Sequence, residues 1–157
     1  MEIRDATADD HASIQMLEAE IQAQHAEGAP FIFPPLPDGV IPREDYLALL
    51  ARPNERVIIA IEDGEAVGYL NYEFVDRPAN YYKYPQKLVH VHVLTVKATH
   101  RSRGIGEALL KYVEQQAREY GASRVTLEVY SFNTGAVRFY ERIGFAPITQ
   151  LMSMPLE

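Results

Sequence analysis

The stretch from Arg101 to Gly106 places fixed positive charge and glycines where an apolar strand pattern gives way to a helix pattern. A helix start presents backbone N–H groups without partners inside the helix, and the positive end of the helix dipole lies there. Arginines add charge, and glycines let a ligand approach the backbone closely. The stretch therefore predicts a phosphate or pyrophosphate site. Its residues are Arg101, Ser102, Arg103, Gly104, Ile105 and Gly106.

Two well-known phosphate loops do not fit this stretch. A P-loop requires Lys-Ser or Lys-Thr after its last glycine, whereas Gly106 is followed by Glu107 and Ala108. A dinucleotide fingerprint requires a third small residue three places further on, where this chain has Leu109.

Three side chains before this loop could remove a proton from a substrate. His90 and His92 are two residues apart, so both point to the same face of a regular strand. A histidine titrates near pH 6.5, which suits a general base. Glu73 is the alternative base, although its type and position favour an exposed structural carboxylate, and Glu128 is a weaker candidate. The histidine pair has no convincing third ligand, so we predict no metal site.

The surrounding pattern predicts one α/β domain over residues 1–157, with a mixed sheet flanked by helices. The expected order is β-α-α-β-β-β-α-β-α-β, ending in one or two strands over residues 145–156. Asp9 is predicted to cap the first helix, which ends near Gly28. Asp63-Gly64 predicts a hairpin turn. Five prolines break regular structure before the second helix: Pro30, Pro34, Pro35, Pro37 and Pro42.

The pattern Arg-x-x-Gly-x-Gly from Arg101 to Gly106 resembles the acyl-CoA loop of the GCN5-related N-acetyltransferase (GNAT) superfamily. A second segment supports this resemblance: Asn133 is followed at the family's spacing by Ala136, Phe139, Tyr140, Glu141, Gly144 and Phe145. The resemblance covers most of the chain and is weakest between about residues 28 and 56. It implies a GNAT-like fold and an enzyme that uses acetyl-CoA.

The resemblance also implies roles for individual residues. Arg101 to Gly106 would hold the pyrophosphate, and Asn133 would contact the cofactor, cap a helix, or do both. Leu94, Thr95 and Val96 would form a splayed strand end whose backbone polarises the thioester carbonyl. Tyr140 corresponds to the general acid of the family, although its place on an apolar helix stripe also suits a core residue.

The strand that carries His90 and His92 is similar to one in arylalkylamine N-acetyltransferases, where two histidines relay protons. This similarity is local, so it does not imply an arylalkylamine substrate.

The composition of the chain limits the kinds of molecule that it is expected to bind. The chain has 15 basic and 22 acidic residues and a net charge of −7, which argues against nucleic acid. It has no cysteine and no apolar run of membrane-spanning length, so we predict a cytoplasmic enzyme without a membrane partner.

The expected reaction is direct transfer of an acetyl group to a small cationic amine. The alternatives are a peptide amine as acceptor and a non-catalytic acyl-CoA sensor, and the resemblance allows a homodimer. The loop from Phe31 to Phe33 and the tyrosines Tyr81, Tyr82 and Tyr84 are predicted to shape the acceptor pocket.

Overall fold

Helices pack on both faces of one mixed five-stranded sheet. The computed structural model describes residues 1–36 and 39–156. The strands are β1 (Glu2–Asp5), β2 (Glu55–Glu62), β3 (Glu65–Arg77), β4 (Gln86–Val96) and β5 (Val125–Leu127). The helices are α1 (His11–Gly28), α2 (Arg43–Leu50), α3 (Ile105–Tyr120) and α4 (Thr134–Arg142), with short 3-10 turns at Ala8–Asp10 and Ala98–His100. None of the described helices is both long and apolar enough to cross a bilayer.

The strands lie in the order β1-β2-β3-β4-β5, with antiparallel pairing up to β4 and parallel pairing between β4 and β5. The predicted turn at Asp63-Gly64 joins β2 to β3, and both residues have positive φ (51° and 79°), as a tight hairpin turn requires. The parallel step needs a crossover, which α3 supplies. The loop that begins α3 therefore starts directly at the end of β4.

The core has one cluster on each face of the sheet because side chains alternate along each strand. On β2, Ile58 and Ala60 face α3, while Val57 and Ile59 face α1 and α2. The α3 stripe of Ile105, Leu109 and Val113 packs on the first cluster, and Ile14, Leu17 and Tyr46 belong to the second. The sheet thus holds the start of α3 against the end of β4.

A bulge interrupts β4 at His92. Asn71 pairs with Val93 and Tyr72 pairs with Val91, which leaves His92 as the extra residue. The bulge reverses the alternation of β4: Val89 and Val91 face α3 before it, whereas Leu94 and Val96 face α3 after it.

The predicted C-terminal strands are wrong. Residues 146–156 adopt neither helix nor strand, and each of these residues is exposed. Their sequence suits a strand, but within the described residues the segment has no strand to pair with. Pro37, one of the five predicted helix breakers, lies outside the described residues.

Asp10, and not Asp9 as predicted, organises the start of α1. Its Oδ2 accepts hydrogen bonds from the backbone N–H of Thr7 at 2.7 Å and from Nη1 of Arg4 at 2.8 Å, and its Oδ1 accepts from Nη2 of Arg4 at 2.9 Å. The hydrogen bonds from Arg4 are the main reason that the pKa of Asp10 falls to about 2. The pair ties β1 to the start of α1.

Asp10→Asn is therefore expected to lower the free energy of unfolding by about 1–2 kcal/mol at neutral pH. Because folding lowers the pKa of Asp10, its contribution is complete above about pH 4 and is lost as the pH falls towards the folded pKa. Urea unfolding across this pH range measures the effect. Asp9→Asn, at the exposed neighbouring residue, is the control and should change little. A difference between wild type and Asp10→Asn that stays constant down to pH 2 would contradict the assignment.

Candidate active site

The loop between β4 and α3 forms a concave set of backbone N–H groups. Ser102 and Gly104 both have positive φ, 61° and 82°. Such left-handed residues turn successive N–H groups towards one point, which makes an anion-binding nest. The first turn of α3, from Ile105, adds N–H groups that no residue of that helix can bond. The fold thus brings the predicted loop residues together as a site that suits a phosphate group.

The two arginines of this loop take different positions. Nε of Arg101 donates to the carbonyl of Val96 at 3.2 Å, which fixes the loop to the end of β4. The guanidinium of Arg103 lies 3.2 Å from the carboxylate of Glu62 on β2. Gly106 differs from Gly104, because a Cβ at Gly106 would lie 3.2 Å from the ring of Phe139. Gly106 thereby lets α4 approach the start of α3.

Strand β4 loses its β5 partner halfway along. The parallel pairing ends at Val91 and Leu127, whereas β4 continues to Val96. On the other side, Leu94, Thr95 and Val96 stay paired with β3. In a strand, backbone groups point alternately to either side, so part of the backbone of Leu94–Val96 faces the opening beside β5. The resemblance places the splayed strand end at these three residues.

Helix α4 lies beside the start of α3. The side-chain Oδ1 of Asn133 accepts from the backbone N–H of Ala136 at 3.1 Å, so Asn133 caps this helix. Phe139 meets Gly106 as described, and Tyr140 follows directly, with its ring 5.7 Å from that of Phe145. The sequence motif thus places Tyr140 one residue from the contact with the anion-binding loop.

The hydroxyl of Tyr140 remains available to a ligand. Among the described residues it has no hydrogen-bond partner, and it is not one of their buried, unsatisfied polar atoms. Burial of the ring raises the pKa of Tyr140 to about 12. The phenol therefore carries its proton throughout the neutral range and can donate it.

The three candidate bases converge on the sheet face that carries α1 and α2. Nε2 of His92 lies 2.8 Å from Oε2 of Glu73, and the rings of His90 and His92 are 4.9 Å apart. Nδ1 of His90 lies 2.8 Å from Oγ1 of Thr126 on β5. The four side chains form a row from Glu73 through both histidines to Thr126. Such a row can move a proton and can stabilise the charge that this creates.

The two histidines differ in exposure. His92 is exposed at the bulge, whereas His90 is half-buried between β3 and β5. Burial is the main cause that lowers the pKa of His90, and the nearby charge of His92 lowers it further. Glu128 and Glu73 act in the opposite direction. His90 is therefore neutral at pH 7.

Glu55 supplies a third potential metal ligand beside Glu73 and His92, which sequence reasoning missed. One ligand atom from each of the three side chains lies within 4.8 Å of the others. Each of these side chains already has a partner within the chain. Arg52 forms an ion pair with Glu55 at 2.8 Å, Asn71 donates a hydrogen bond to Glu55 at 3.2 Å, and His92 is hydrogen-bonded to Glu73. These contacts explain the cluster as an ion-pair and hydrogen-bond network.

Two acidic side chains of α1 lie beside the loop that precedes α3. Glu20 and Glu27 line an open depression of about 370 Å³ that is bordered by Ala98 and Arg101 of the loop. Glu18 lies one turn from Ile14 on the inner side of α1, and burial raises its pKa to about 7. Sequence reasoning missed Glu18 because a single carboxylate on an amphipathic helix usually faces solvent.

An aromatic cluster joins α1, the loop that follows it and the residues after β5. The ring of His25 on α1 lies 4.7 Å from Phe33 and 5.4 Å from Tyr130, which follows β5. Phe33 thus packs between α1 and the residues that follow β5. Phe31 is 80% exposed, and the structure also leaves the tyrosines of the β3–β4 turn away from the site; these residues are Tyr81, Tyr82 and Tyr84. That turn joins the ends of β3 and β4 opposite the loop, so it cannot line the opening in this structure.

The sequence pattern could have predicted on which face of the sheet Thr126 lies. It alternates with Val125 and Leu127, which pack on the α3 face, so its hydroxyl must point to the histidine face. The pairing of His90 with Thr126 depends on strand register, which the sequence pattern alone did not provide.

Comparisons with known proteins agree with this geometry. The model of the acetyltransferase (GNAT) family matches residues 15–145. An aminoalkylphosphonate N-acetyltransferase of Salmonella typhimurium is 30% identical over 92% of this chain and 84% of its own length. Streptothricin acetyltransferase of Streptomyces lavendulae is 32% identical over 59% of this chain, which spans only 46% of that relative. An X-ray structure of a tetramutant protein from Bacillus halodurans is 25% identical, with a TM-score of 0.96 over 99% of this chain and 100% of its own.

Proposed function

Since this chain belongs to the GNAT family of acetyltransferases and is an acetyl-CoA-dependent N-acetyltransferase, we propose that it acetylates a small cationic amine by direct transfer. The observation that carries this proposal is the row of His90, His92 and Glu73 beside the open end of β4. This row would supply a proton acceptor on one side of the strand opening, and the loop proposed to bind the anion follows the same strand.

The proposed role of the loop is to bind the pyrophosphate of acetyl-CoA through its nest of N–H groups and Arg101. The thioester would then lie along Leu94–Val96, where backbone groups face the opening. Backbone donors aimed at the carbonyl oxygen stabilise the negative charge that develops during attack. The side-chain Nδ2 of Asn133 would donate a hydrogen bond to the cofactor, while its Oδ1 caps α4.

For proton transfer, we assign the base to His92 and the acid to Tyr140. His92 is exposed, and Glu73 would stabilise the imidazolium that forms when His92 takes the proton of the amine. Neutral His90 adds no repulsion to that charge. The amine nitrogen forms its bond to the carbonyl carbon, the carbon–sulfur bond breaks, and Tyr140 protonates the departing thiolate. The chain has no cysteine that could form a covalent intermediate, which fits direct transfer.

A cationic acceptor fits the charges around the base. The carboxylates of Glu55, Glu73 and Glu128 lie near the histidines. Aromatic faces of Phe33 and Tyr130 offer cation–π contacts in the same region. Streptothricin and aminoalkylphosphonate acetyltransferases, both similar in sequence, are named for small-molecule acceptors.

The proposal is tested by the release of free thiol from acetyl-CoA with a panel of amines, and by thermal shift with acetyl-CoA on the same sample. The panel compares small cationic amines with neutral-headed amines and peptide N-termini. Stabilisation by acetyl-CoA together with turnover of the cationic amines supports the proposal, and turnover should persist with a metal chelator present. Turnover of peptide amines alone would overturn the acceptor assignment.

Gly104→Ala is expected to weaken binding of acetyl-CoA by about tenfold. A Cβ at Gly104 meets no atom within 4 Å, but a φ of 82° costs other residues about 1–2 kcal/mol, so the nest would change shape. Gly121→Ala is a matched control, because Gly121 also has a φ of 79° and lies at the opposite end of α3 from the loop. Both variants should lose similar stability, and calorimetry should find weaker binding only for Gly104→Ala. Equal affinities would remove the loop from the cofactor site.

If the acceptor binds beside α1, Glu18→Gln is expected to raise the KM for the amine by about tenfold while kcat changes little, because the cation would ionise this half-buried carboxyl and pair with it. Steady-state kinetics with saturating acetyl-CoA measure the effect. The exposed carboxylate of Glu44 on α2 provides the control variant Glu44→Gln. An unchanged KM in Glu18→Gln would place Glu18 outside the acceptor site.

The proposal includes a homodimer and a cytoplasmic location. A cytoplasmic enzyme fits the absence of cysteine, since disulfides stabilise many proteins of oxidising compartments.

A further inference from the structure

The two arginines of the loop between β4 and α3 have partners of different charge. Nε of Arg101 donates to the neutral carbonyl of Val96, and this contact leaves the positive charge of Arg101 uncompensated. Nη2 of Arg103 lies 3.2 Å from Oε2 of Glu62, the last residue of β2, and is therefore paired with a negative charge. Nε2 of His100 lies 3.9 Å from the same oxygen, which is too far for a normal hydrogen bond. A carboxylate in this position lowers the attraction of the loop for an anion.

The two ends of the loop are held by contacts that do not involve Glu62. Before the glycines, the backbone N–H of Ala98 donates to Oε2 of Glu20 on α1 at 2.8 Å. At the start of α3, the backbone N–H of Ala108 donates to the carbonyl of Gly104 at 3.0 Å. Loss of the Glu62 carboxylate should therefore change the charge beside the loop more than the shape of the loop.

The ion pair between Arg103 and Glu62 is partly open to solvent. The Arg103 side chain is 53% exposed and the Glu62 side chain is 27% exposed. Exposed ion pairs contribute little to stability, so opening this pair costs little. A pyrophosphate carries two negative charges where the carboxylate carries one, and it therefore attracts a guanidinium more strongly. Arg103 can thus leave Glu62 for a bound phosphate, and the cost of opening the pair reduces the affinity for that phosphate.

We propose that Glu62 competes with the phosphates of acetyl-CoA and of CoA for Arg103, and that it thereby limits how tightly both molecules bind. CoA leaves with the pyrophosphate that acetyl-CoA brought, so contacts to that group bind substrate and product alike. Such uniform binding does not accelerate acetyl transfer, and it slows the release of CoA. Glu62 is a positioning residue, because it acts through Arg103 and touches no reacting atom. The inference rests on the proposed role of the loop in cofactor binding.

Glu62→Gln is expected to lower the Kd for CoA by about fivefold, because an exposed ion pair no longer has to open. Calorimetric titration with CoA measures this Kd without any acceptor amine. Glu62→Asp keeps the charge and should bind CoA within about twofold of wild type. The matched control is Glu65→Gln, which removes a carboxylate from the same hairpin, where Glu65 pairs with Lys97 ahead of the loop. This control should also stay within about twofold of wild type.

A double-mutant cycle with Arg103→Ala shows whether Glu62 acts through Arg103. In the Arg103→Ala background, Glu62→Gln should change the Kd for CoA by less than about twofold, because solvent and salt screen the remaining charge. An equal gain in both backgrounds would show general repulsion of the phosphates and would overturn the competition. Weaker binding in Glu62→Gln would show that Glu62 holds Arg103 in place for the phosphate, which also overturns it.

Product inhibition gives a readout that a purely structural role of Glu62 would not move. With an amine that is turned over, Glu62→Gln should lower the inhibition constant of CoA against acetyl-CoA by the same factor of about five, with an unchanged KM for the amine. An unchanged inhibition constant would remove Glu62 from the control of CoA release.

Gly104→Ala separates this inference from the proposed function. If Gly104→Ala weakens binding of CoA while Glu62→Gln leaves the Kd unchanged, the loop binds the cofactor and the proposed role of Glu62 is wrong. If neither variant changes the Kd, the loop is not the cofactor site, and the proposed function loses its binding loop together with this inference.

Discussion

Tyr140→Phe is expected to lower kcat by about 100-fold, equivalent to about 2.7 kcal/mol of transition-state stabilisation, with unchanged affinity for acetyl-CoA. The variant keeps the ring and its contacts with Phe139 and Phe145 and removes only the hydroxyl. Without it, the thiolate must leave as an anion or take a proton from water. Steady-state kinetics and calorimetry with acetyl-CoA separate the loss in kcat from any loss in binding.

Tyr112→Phe is the matched control for this experiment. Tyr112 is another partly buried tyrosine, on α3, and burial also raises its pKa. Its replacement should leave kcat within a factor of about two. If Tyr140→Phe retains full activity, Tyr140 is a packing residue. If both variants lose activity together with thermal stability, the loss comes from packing and not from proton donation.

The pH profile gives an independent test of the acid. An acid acts only while protonated, and the pKa of Tyr140 is raised to about 12. Loss of the tyrosine proton therefore should not lower wild-type kcat below about pH 11. A decrease in kcat centred near pH 9 that disappears in Tyr140→Phe would contradict the raised pKa.

The local parts of the site could be predicted from the sequence because they depend on neighbours in the chain. The start of α3 follows from glycines placed between an apolar strand and an amphipathic stripe, and Gly104 does take the left-handed conformation that favours glycine. Asn133 caps α4 through a contact three residues away. In both cases the residue type fixes the backbone within a single turn.

The parts that depend on pairing between strands could not be predicted in the same way. Glu73 reaches His92 because β3 and β4 share a register with a bulge at His92, and neither the bulge nor the register has a signal in the sequence pattern. Thr126 meets His90 only because β5 runs parallel to β4. The C-terminal strand pattern was recognised, but a strand also needs a partner, and the described part of one chain supplies none.

The bulge also explains why the proposed base can reach the acceptor. In a regular β4, the side chains of His90, His92, Leu94 and Val96 would all lie on one face of the sheet. The extra residue leaves His92 exposed where β5 has already ended, while Leu94 and Val96 turn their side chains to the α3 core. The proposed base, His92, therefore lies at the strand opening, and the half-buried His90 lies deeper in the sheet.

His92→Gln is accordingly expected to lower kcat/KM for the amine by about 100-fold at neutral pH, since proton removal by a positioned base contributes at least that much. Glutamine keeps a polar side chain beside Glu73 but cannot take the proton. The variant then depends on amine that is already neutral in solution, so its rate should rise about tenfold per pH unit until the amine is deprotonated. The rate of the wild type should depend much less on pH over this range, because His92 takes the proton of the amine.

Two conservative variants distinguish the histidines. Glu73→Gln removes the charge that stabilises a protonated His92, and Thr126→Val removes the partner of His90 with little change in shape. If His92 is the base, Glu73→Gln lowers kcat by about tenfold and Thr126→Val by less than about threefold. The reverse order, together with a larger loss in His90→Gln than in His92→Gln, would transfer the role to His90. Near wild-type rates in all four variants would mean that the histidine row does not take the proton of the amine.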